Sequence, residues 1–218
     1  VEELRPNLYD PIEGTTIAEA EVERVSRKTH LIDIRWSVKD DSEHEPVIIS
    51  TTRPELICAC GIVIVHPDDN RYQHLIGKSL ELPIKTSARS KFVEIRSHPS
   101  VNMDFGSGVL MVCSFGDQND VAVFRELELT PFQAIDLDGK ITEIGGPLEG
   151  LSVTDARTKA IDILDSSNRI ETMIERDQEI PVSERGKNPV EIILLKEWYV
   201  RQTHCLLYTS DAADEGLG

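Results

Sequence analysis

What most constrains this chain is a succession of short β-branched runs cut by turn residues. Ile32, Ile34, Trp36 and Val38 alternate with Asp33, Arg35 and Ser37, the two-residue period of a half-buried strand. Residues 46–51, 61–65, 92–95, 109–113 and 190–194 are further runs rich in Val and Ile. Asp138-Gly139, between runs that end at Ile135 and resume at Ile141, is a hairpin signal. Two helices stand out against this background. Ser152 with Asp155 reads as a capping box opening a helix to about Leu164, with Val153, Ala156, Ala160 and Ile163 at helical spacing. Asp117 followed by Asp120 opens the other, whose buried face is expected to be Val121, Phe124 and Leu127. The pattern predicts an α+β domain in which strands dominate, with no 20-to-50-residue repeat.

Composition narrows the function classes. With 218 residues, 39% hydrophobic and 28% charged, and only 13 Gly and 11 Pro, the chain has material for a real core in one large or two small domains. No apolar run approaches the roughly 18 residues needed to cross a bilayer, and Val1-Glu2-Glu3 lacks a basic-then-apolar targeting pattern, so membrane and secretory readings are disfavoured and a cytoplasmic protein is expected. Cys58, Cys60, Cys113 and Cys205 are too sparse for a disulfide scaffold, in keeping with a reducing compartment. The 23 Lys and Arg against 39 Asp and Glu give 23 − 39 = −16, which argues against a protein whose main business is gripping phosphate backbones; contact with nucleic acid should be local. Residues 205–218 follow no periodic template and resemble a translated sequencing-library adapter. They are set aside with Cys205, Asp211, Asp214 and Glu215, so the native reading ends near His204 and the chain is expected to be a fragment of something longer.

Three segments carry chemistry. In Ser50-Thr51-Thr52-Arg53-Pro54-Glu55, directly after a buried run, Pro54 biases Arg53 away from helical geometry, so an extended Arg and two hydroxyls would be displayed at a strand's end, able to bond a ribose, a phosphate or a carbonyl. A solvated strand terminus explains this segment on its own. In Asp104-Phe105-Gly106-Ser107-Gly108, two glycines allow close approach of backbone to a ligand and Phe105 offers a stacking face, although a tight turn with a core Phe explains as much. In Phe115-Gly116-Asp117-Gln118-Asn119-Asp120, two carboxylates at i and i+3 share the first helical turn, stabilised as anions by its dipole; the pair suits an ammonium plus a hydroxyl, capping accounts for one Asp alone, and a glycosidase-type acid/base pair remains open. Cys58-x-Cys60 with Cys113 departs from zinc-knuckle spacing and reads as buried small hydrophobes, and His66-Pro67-Asp68-Asp69 reads as a loop after a strand. With no Gly-x-Ser-x-Gly elbow, Walker loop or His-Glu-x-x-His helix, covalent catalysis has no obvious nucleophile.

In this order and spacing, Thr51-Thr-Arg-Pro-Glu55, His66-Pro-Asp-Asp-x-Arg-Tyr72, Leu75-Ile-Gly-Lys78, Asp104-Phe-Gly-Ser-Gly108 and Gly116-Asp-x-x-Asp120 resemble the editing insertion of the valyl-tRNA synthetases, class I enzymes. The similarity extends from Ala18-Glu-Ala-Glu-Val22 through Gly150-Leu-Ser to Pro189-Val-Glu-Ile and Lys196-Glu-Trp-Tyr199, nearly the whole chain outside its tail, and the Arg53-Pro54 pair favours the valyl over the isoleucyl and leucyl enzymes. The resemblance implies a strand-dominated, distorted β-barrel with a few peripheral helices, divided as a 1–28 lead-in, a 29–182 editing domain, a 183–204 return segment and the 205–218 tail. It implies an aminoacyl-tRNA deacylase that hydrolyses Thr-tRNA(Val). Its partners would be the threonine-carrying acceptor end of tRNA(Val) and the rest of the synthetase in cis, with no membrane and no DNA. On the same ground Asp120 would anchor the α-ammonium and Asp117 the threonine hydroxyl. Thr51, Thr52 and Arg53 would orient the terminal adenosine and the ester carbonyl. Phe105 would pack near the adenine beside Gly106 and Gly108, and Met111 and Cys113 would border the substrate. An ordered water is the expected nucleophile.

Departures from the family pattern carry their own expectations. Met111 stands where many members have a Lys and Cys113 where they have a Thr, so electrophilic assistance from that Lys is not assumed. Ser183-Glu-Arg-Gly186 replaces a Cys-x-x-Cys knuckle, so no metal is expected. The His-Ile-Gly-His and Lys-Met-Ser-Lys-Ser signatures of aminoacylation are missing. No cofactor is therefore expected for editing, and ATP and Mg2+ would belong only to the parent's missing catalytic core. The alternatives are a non-catalytic acceptor-end binding module and the editing domain of an isoleucyl-type enzyme.

Overall fold

A computed structural model describes residues 2–41, 45–86 and 90–199. In chain order its elements are β1 (Glu2–Asp10), β2 (Thr15–Thr16), β3 (Val22–Val38), β4 (Val47–Thr51), β5 (Cys60–Val65), β6 (Ser79–Glu81), β7 (Phe92–Ser97), β8 (Val109–Cys113), α1 (Gln118–Glu126), α2 (Val153–Ser166), β9 (Ile170–Ser183) and β10 (Glu191–Trp198). Short 3-10 turns lie between several of them, among them Pro54–Ala59. The strand-dominated barrel expected from the sequence is what forms. Among the described residues no helix is long and apolar enough to cross a membrane.

The larger sheet runs β4-β3-β6-β7-β5-β8, with β9 paired to β3 off that path. Its edge strands β4 and β8 pack against each other without a hydrogen-bonded ladder, so the sheet curls into a barrel with one open seam. Inward residues of β3 and β4, Ile32, Ile34, Trp36 and Ile49, fill it together with Val63, Leu80 and Ile95. α2 closes one side by burying Ala156, Ala160 and Leu164, and Ser152 caps it through the N–H of Asp155. β5 and β8 are apolar on both faces because α1 covers their outer side. Ile62, Ile64 and Val112 meet Val123 and Phe124 there, and Gly61 leaves the space: a Cβ on it would lie 2.3 Å from Phe124 Cζ.

One expectation needs correction. The buried face of α1 centres on Val123 and Phe124, with Leu127 packed against them, whereas Val121 is only half-buried. A nine-residue helix lying flat on a sheet buries one i, i+3, i+4, i+7 row, here 120, 123, 124 and 127, and that rotation also turns Asp120 toward the barrel. The 28/29 boundary falls inside β3, whose first half pairs with β9 from Val22↔Ser183 onward as a two-stranded, solvent-facing ribbon. The lead-in and return segments pair with each other, β1 against β10 from Glu2↔Trp198 to Tyr9↔Glu191, in a second sheet of order β10-β1-β2. Asp138-Gly139 makes its turn below an Ile135↔Ile141 bridge, with Gly139 at φ +71. The expectations for residues 205–218, for Cys205 and for the end of the return segment near His204 lie outside the described residues.

Candidate functional site

The three chemistry-bearing segments all lie along the seam. β4 delivers Thr51, Thr52 and Arg53 to one lip. Thr51 Oγ1 accepts the Arg53 N–H at 3.0 Å, and Arg53 sits at φ −129, ψ 65 before Pro54 starts the buried 3-10 turn. β8 forms the other lip. The loop ahead of it holds Gly106 and Gly108 at φ +57 and +79, and a Cβ on Gly106 would come within 2.7 Å of Ser50 Oγ, so only glycine lets the loop close on the end of β4. Tyr72 fastens this loop by donating its hydroxyl to Ser107 O at 2.8 Å, and Arg71, paired with the buried Asp69, donates to Met103 O at 3.0 Å.

Past β8, Phe115 adopts φ +60, a left-handed conformation that non-glycine residues avoid, and Gly116 then leads into α1. Asp117 caps that helix by accepting the Asp120 N–H at 2.8 Å; Asp120 Oδ2 in turn accepts the Cys113 N–H at 3.1 Å. A Cβ on Gly116 would lie 2.2 Å from Asp120 Oδ2, so the carboxylate occupies room that only glycine leaves. Burial, and then the neighbouring Asp117, push the Asp120 carboxyl up to about 8, with only partial relief from the Cys113 N–H and from Arg53. A carboxylate in that state is poised for a cation.

The expectation that Arg53 is displayed freely is corrected. Its guanidinium is folded inward: Nε donates to Glu55 at 3.1 Å, Nη2 to Glu191 at 2.8 Å and Nη1 to the Gly116 carbonyl at 3.3 Å. Three of its five N–H groups are so committed, and the side chain keeps 26% exposure at the seam. Glu55, with no exposure, is also held by Arg157 of α2 through two bonds of 2.7 and 3.0 Å. Burial alone would raise the Glu55 carboxyl, but Arg157 and Arg53 outweigh it and hold it below the usual range. The pairings of Arg53 with Gly116 and Glu191, and of Arg157 with Glu55, had no signal in sequence, since they join residues 63, 138 and 102 positions apart; Glu55 itself stands two residues from Arg53.

The structure therefore gathers Thr51, Thr52, Arg53, Asp117 and Asp120 at one end of the seam. Phe105 lies in the loop ahead of β8, beside the Gly106 that closes on Ser50 at the end of β4. It is 54% exposed, with the Arg176 guanidinium 5.7 Å from its ring centre. Met111 and Cys113 point the other way, into the barrel core: Cys113 lies opposite Cys60 and donates its thiol to Leu56 O, and burial pushes that thiol well up. Cys58, Cys60 and Cys113 are buried, and no cluster of His, Cys, Asp or Glu able to hold a metal occurs among the described residues. One concavity lies by Thr15, Glu21 and Ser183, and another by Phe115, Val121 and Phe124, behind the turn that carries Asp117.

No family model matches the chain. Individual relatives are clear, and they define a domain of an aminoacyl-tRNA synthetase. The chain is 39% identical over 197 residues to the valine--tRNA ligase of Nanoarchaeum equitans, covering 90% of this chain and 25% of that protein. It is 38% identical to the ligase of Thermoplasma acidophilum over 91% of the chain and 24% of the relative, and 35% identical to that of Methanothermobacter thermautotrophicus over 97% and 24%. The chain belongs to the valyl-tRNA synthetase family, as one domain of it, and spans about a quarter of the length of these curated relatives.

Proposed function

We propose that the seam is a hydrolytic proofreading site that deacylates Thr-tRNA(Val). The need follows from shape: threonine is nearly isosteric with valine, and this family is itself the standing illustration that a hydrophobic pocket rejects such an isostere by only about 10². A second site must then select the hydroxyl. The observation that carries the reading is the Asp117–Asp120 pair, two carboxylates crowded on one helical turn with Asp120 forced toward protonation for want of a cation.

An α-ammonium is the group that relieves this. It would sit against Asp120, displacing the proton that the empty carboxyl holds near neutral pH. Asp117 spends Oδ1 on the helix cap, which leaves Oδ2 to accept the threonine hydroxyl. Valine has no hydroxyl to repay desolvating that oxygen, so it is refused. The remaining N–H groups of Arg53 and the hydroxyls of Thr51 and Thr52 would steady the ester carbonyl and the ribose, with the adenine toward Phe105 along the seam. A water adds to the ester carbon, the bond from that carbon to the ribose oxygen breaks, and the ribose oxygen takes a proton, giving free threonine and tRNA. This step asks for no cofactor; ATP and Mg2+ would serve the ligation chemistry of the parent enzyme. The working partners are thus the acceptor end of threonine-charged tRNA(Val) and the remainder of the synthetase in cis, in the cytoplasm.

The test is release of labelled amino acid from Thr-tRNA(Val), Val-tRNA(Val) and a panel of other mischarged tRNAs, by this chain and by the ligase that contains it. Selective loss of threonine is expected. Equal cleavage of the valyl ester would refute the reading, binding without turnover would make the domain a passive holder of the acceptor end, and preference for another ester would place it with the isoleucyl type.

A further inference from the structure

Glu191 belongs to β10 of the second sheet, yet its carboxylate is buried and reaches Arg53 Nη2 at 2.8 Å, at the lip of the barrel seam. Nothing in the deacylase reading uses it. Arg53 is pinned at two points, by Glu55 on Nε and by Glu191 on Nη2, and two points fix the plane of a guanidinium. So oriented, Nη1 meets the Gly116 carbonyl at 3.3 Å. That carbonyl belongs to the turn where Phe115 sits at φ +60, a conformation that persists only where its surroundings over-determine it. The same turn carries Asp117 and leaves Asp120 Oδ2 so little clearance that its placement sets where the carboxylate lies.

We propose that Glu191 is a positioning residue of the seam: it fixes Arg53, and through the Arg53 bond to Gly116 it holds the turn that aims Asp117 and Asp120 at the substrate. This rests on the deacylase reading of the same site. It also makes the β1–β10 sheet, formed by the two ends of the described chain, part of the site's scaffold.

Glu191→Gln keeps the shape and removes the charge, loosening the second pin. The expected result is a fall in kcat for release of threonine from Thr-tRNA(Val) of about tenfold or more, the worth of one charge-assisted bond and of a misplaced group. KM should stay within about twofold, because Glu191 is buried and its carboxylate is engaged by Arg53. The amide resonances of Gly116, Asp117 and Asp120 should shift while those of the Asp138-Gly139 turn stay in place. Arg157→Gln is the control: it removes a member of the same ion network that bonds Glu55 from its far side, so it should lower the melting temperature and leave kcat within about twofold. Glu191→Asp keeps the charge, falls one methylene short of Arg53, and is expected to fold and to lose kcat likewise. Unchanged kcat in both Glu191 variants, or an equal loss in Arg157→Gln, overturns the proposal. If the wild-type chain and its parent ligase cleave no mischarged tRNA, the deacylase reading fails, and the resonance shifts alone then decide whether Glu191 sets the turn.

Discussion

Glu55 and Asp120 are carboxylates within the field of the same guanidinium, and they meet opposite fates. Glu55 is wholly buried, but Arg157 and Arg53 bond it directly, and its carboxyl is held below the usual range. Asp120 has one backbone N–H and a second carboxylate for company, and its carboxyl is pushed up to about 8. Burial acts on both, wholly on Glu55 and in part on Asp120; the difference in sign is whether a cation has been supplied from within. The Glu55 cluster is finished in the folded chain, while the Asp120 turn is left one positive charge short, which is what a binding site for an ammonium group requires.

Removing the unfilled charge is the hardest test of that contrast. Asp120→Asn keeps an acceptor for the Cys113 N–H but has no charge to offer an ammonium, and we expect Thr-tRNA(Val) deacylation to fall by about 10²- to 10³-fold, the scale of losing one preorganised electrostatic contact, in a chain that still folds. A full rate would place the ammonium elsewhere. On the other side, Glu55→Gln leaves Arg157 and part of Arg53 uncompensated. Breaking such a buried pair costs about 3 kcal/mol, or roughly 6–12 °C in a chain of this length, measurable by thermal denaturation. The same group sets the acid leg of stability. Its folded pKa is depressed, so its contribution is present above the ordinary glutamate value and is lost as pH falls through the depressed one.

A smaller change sharpens the role of the second aspartate. Asp117→Asn retains a side-chain oxygen for the cap but no carboxylate for the threonine hydroxyl, so preference for threonyl over valyl ester should drop by about tenfold, the worth of one hydrogen bond to a charged group. Because Asp117 also raises Asp120, the Asp120 carboxyl should titrate lower in this variant, which carboxyl-carbon NMR would follow. A threonine preference that survives intact would assign the hydroxyl to another partner.

How much of this was legible depended on range. Local signals read true: the alternation of Ile32 to Val38, the caps at Ser152 and Asp117, and the glycines at 106 and 108 all act within a few residues. β9 was missed because its ribbon with β3 faces solvent on both sides, so Glu171, Glu175, Arg176 and Asp177 leave no two-residue apolar period to read. Glu191 as a partner of Arg53 was missed for the opposite reason. A carboxylate is an unremarkable surface residue until the fold buries it, and Glu191 is 138 positions from its partner. The sequence showed an arginine at a strand's end; whether it is offered or pinned is a tertiary fact.

The mildest prediction concerns stability, and it runs against the usual sign of a point substitution. Asp120 binds its proton up to about pH 8 in the folded chain, whereas an unfolded aspartate gives its proton up near pH 4. Between those values the folded state holds the extra proton, so stability declines as pH rises from about 4 to 8 and levels off above it. Asn cannot ionise, and Asp120→Asn should therefore be more stable than the parent chain at pH 8 by about 1–2 kcal/mol, a partial value because Asp120 is only half-buried and water screens it. The gain should vanish below about pH 3, where the parent's carboxyl is protonated on both sides of the transition. Denaturant melts at the two pH values measure this directly. A variant less stable than the parent at pH 8 would mean that Asp120 is paid back by a partner inside the fold, as Glu55 is, and the contrast between the two carboxylates would close.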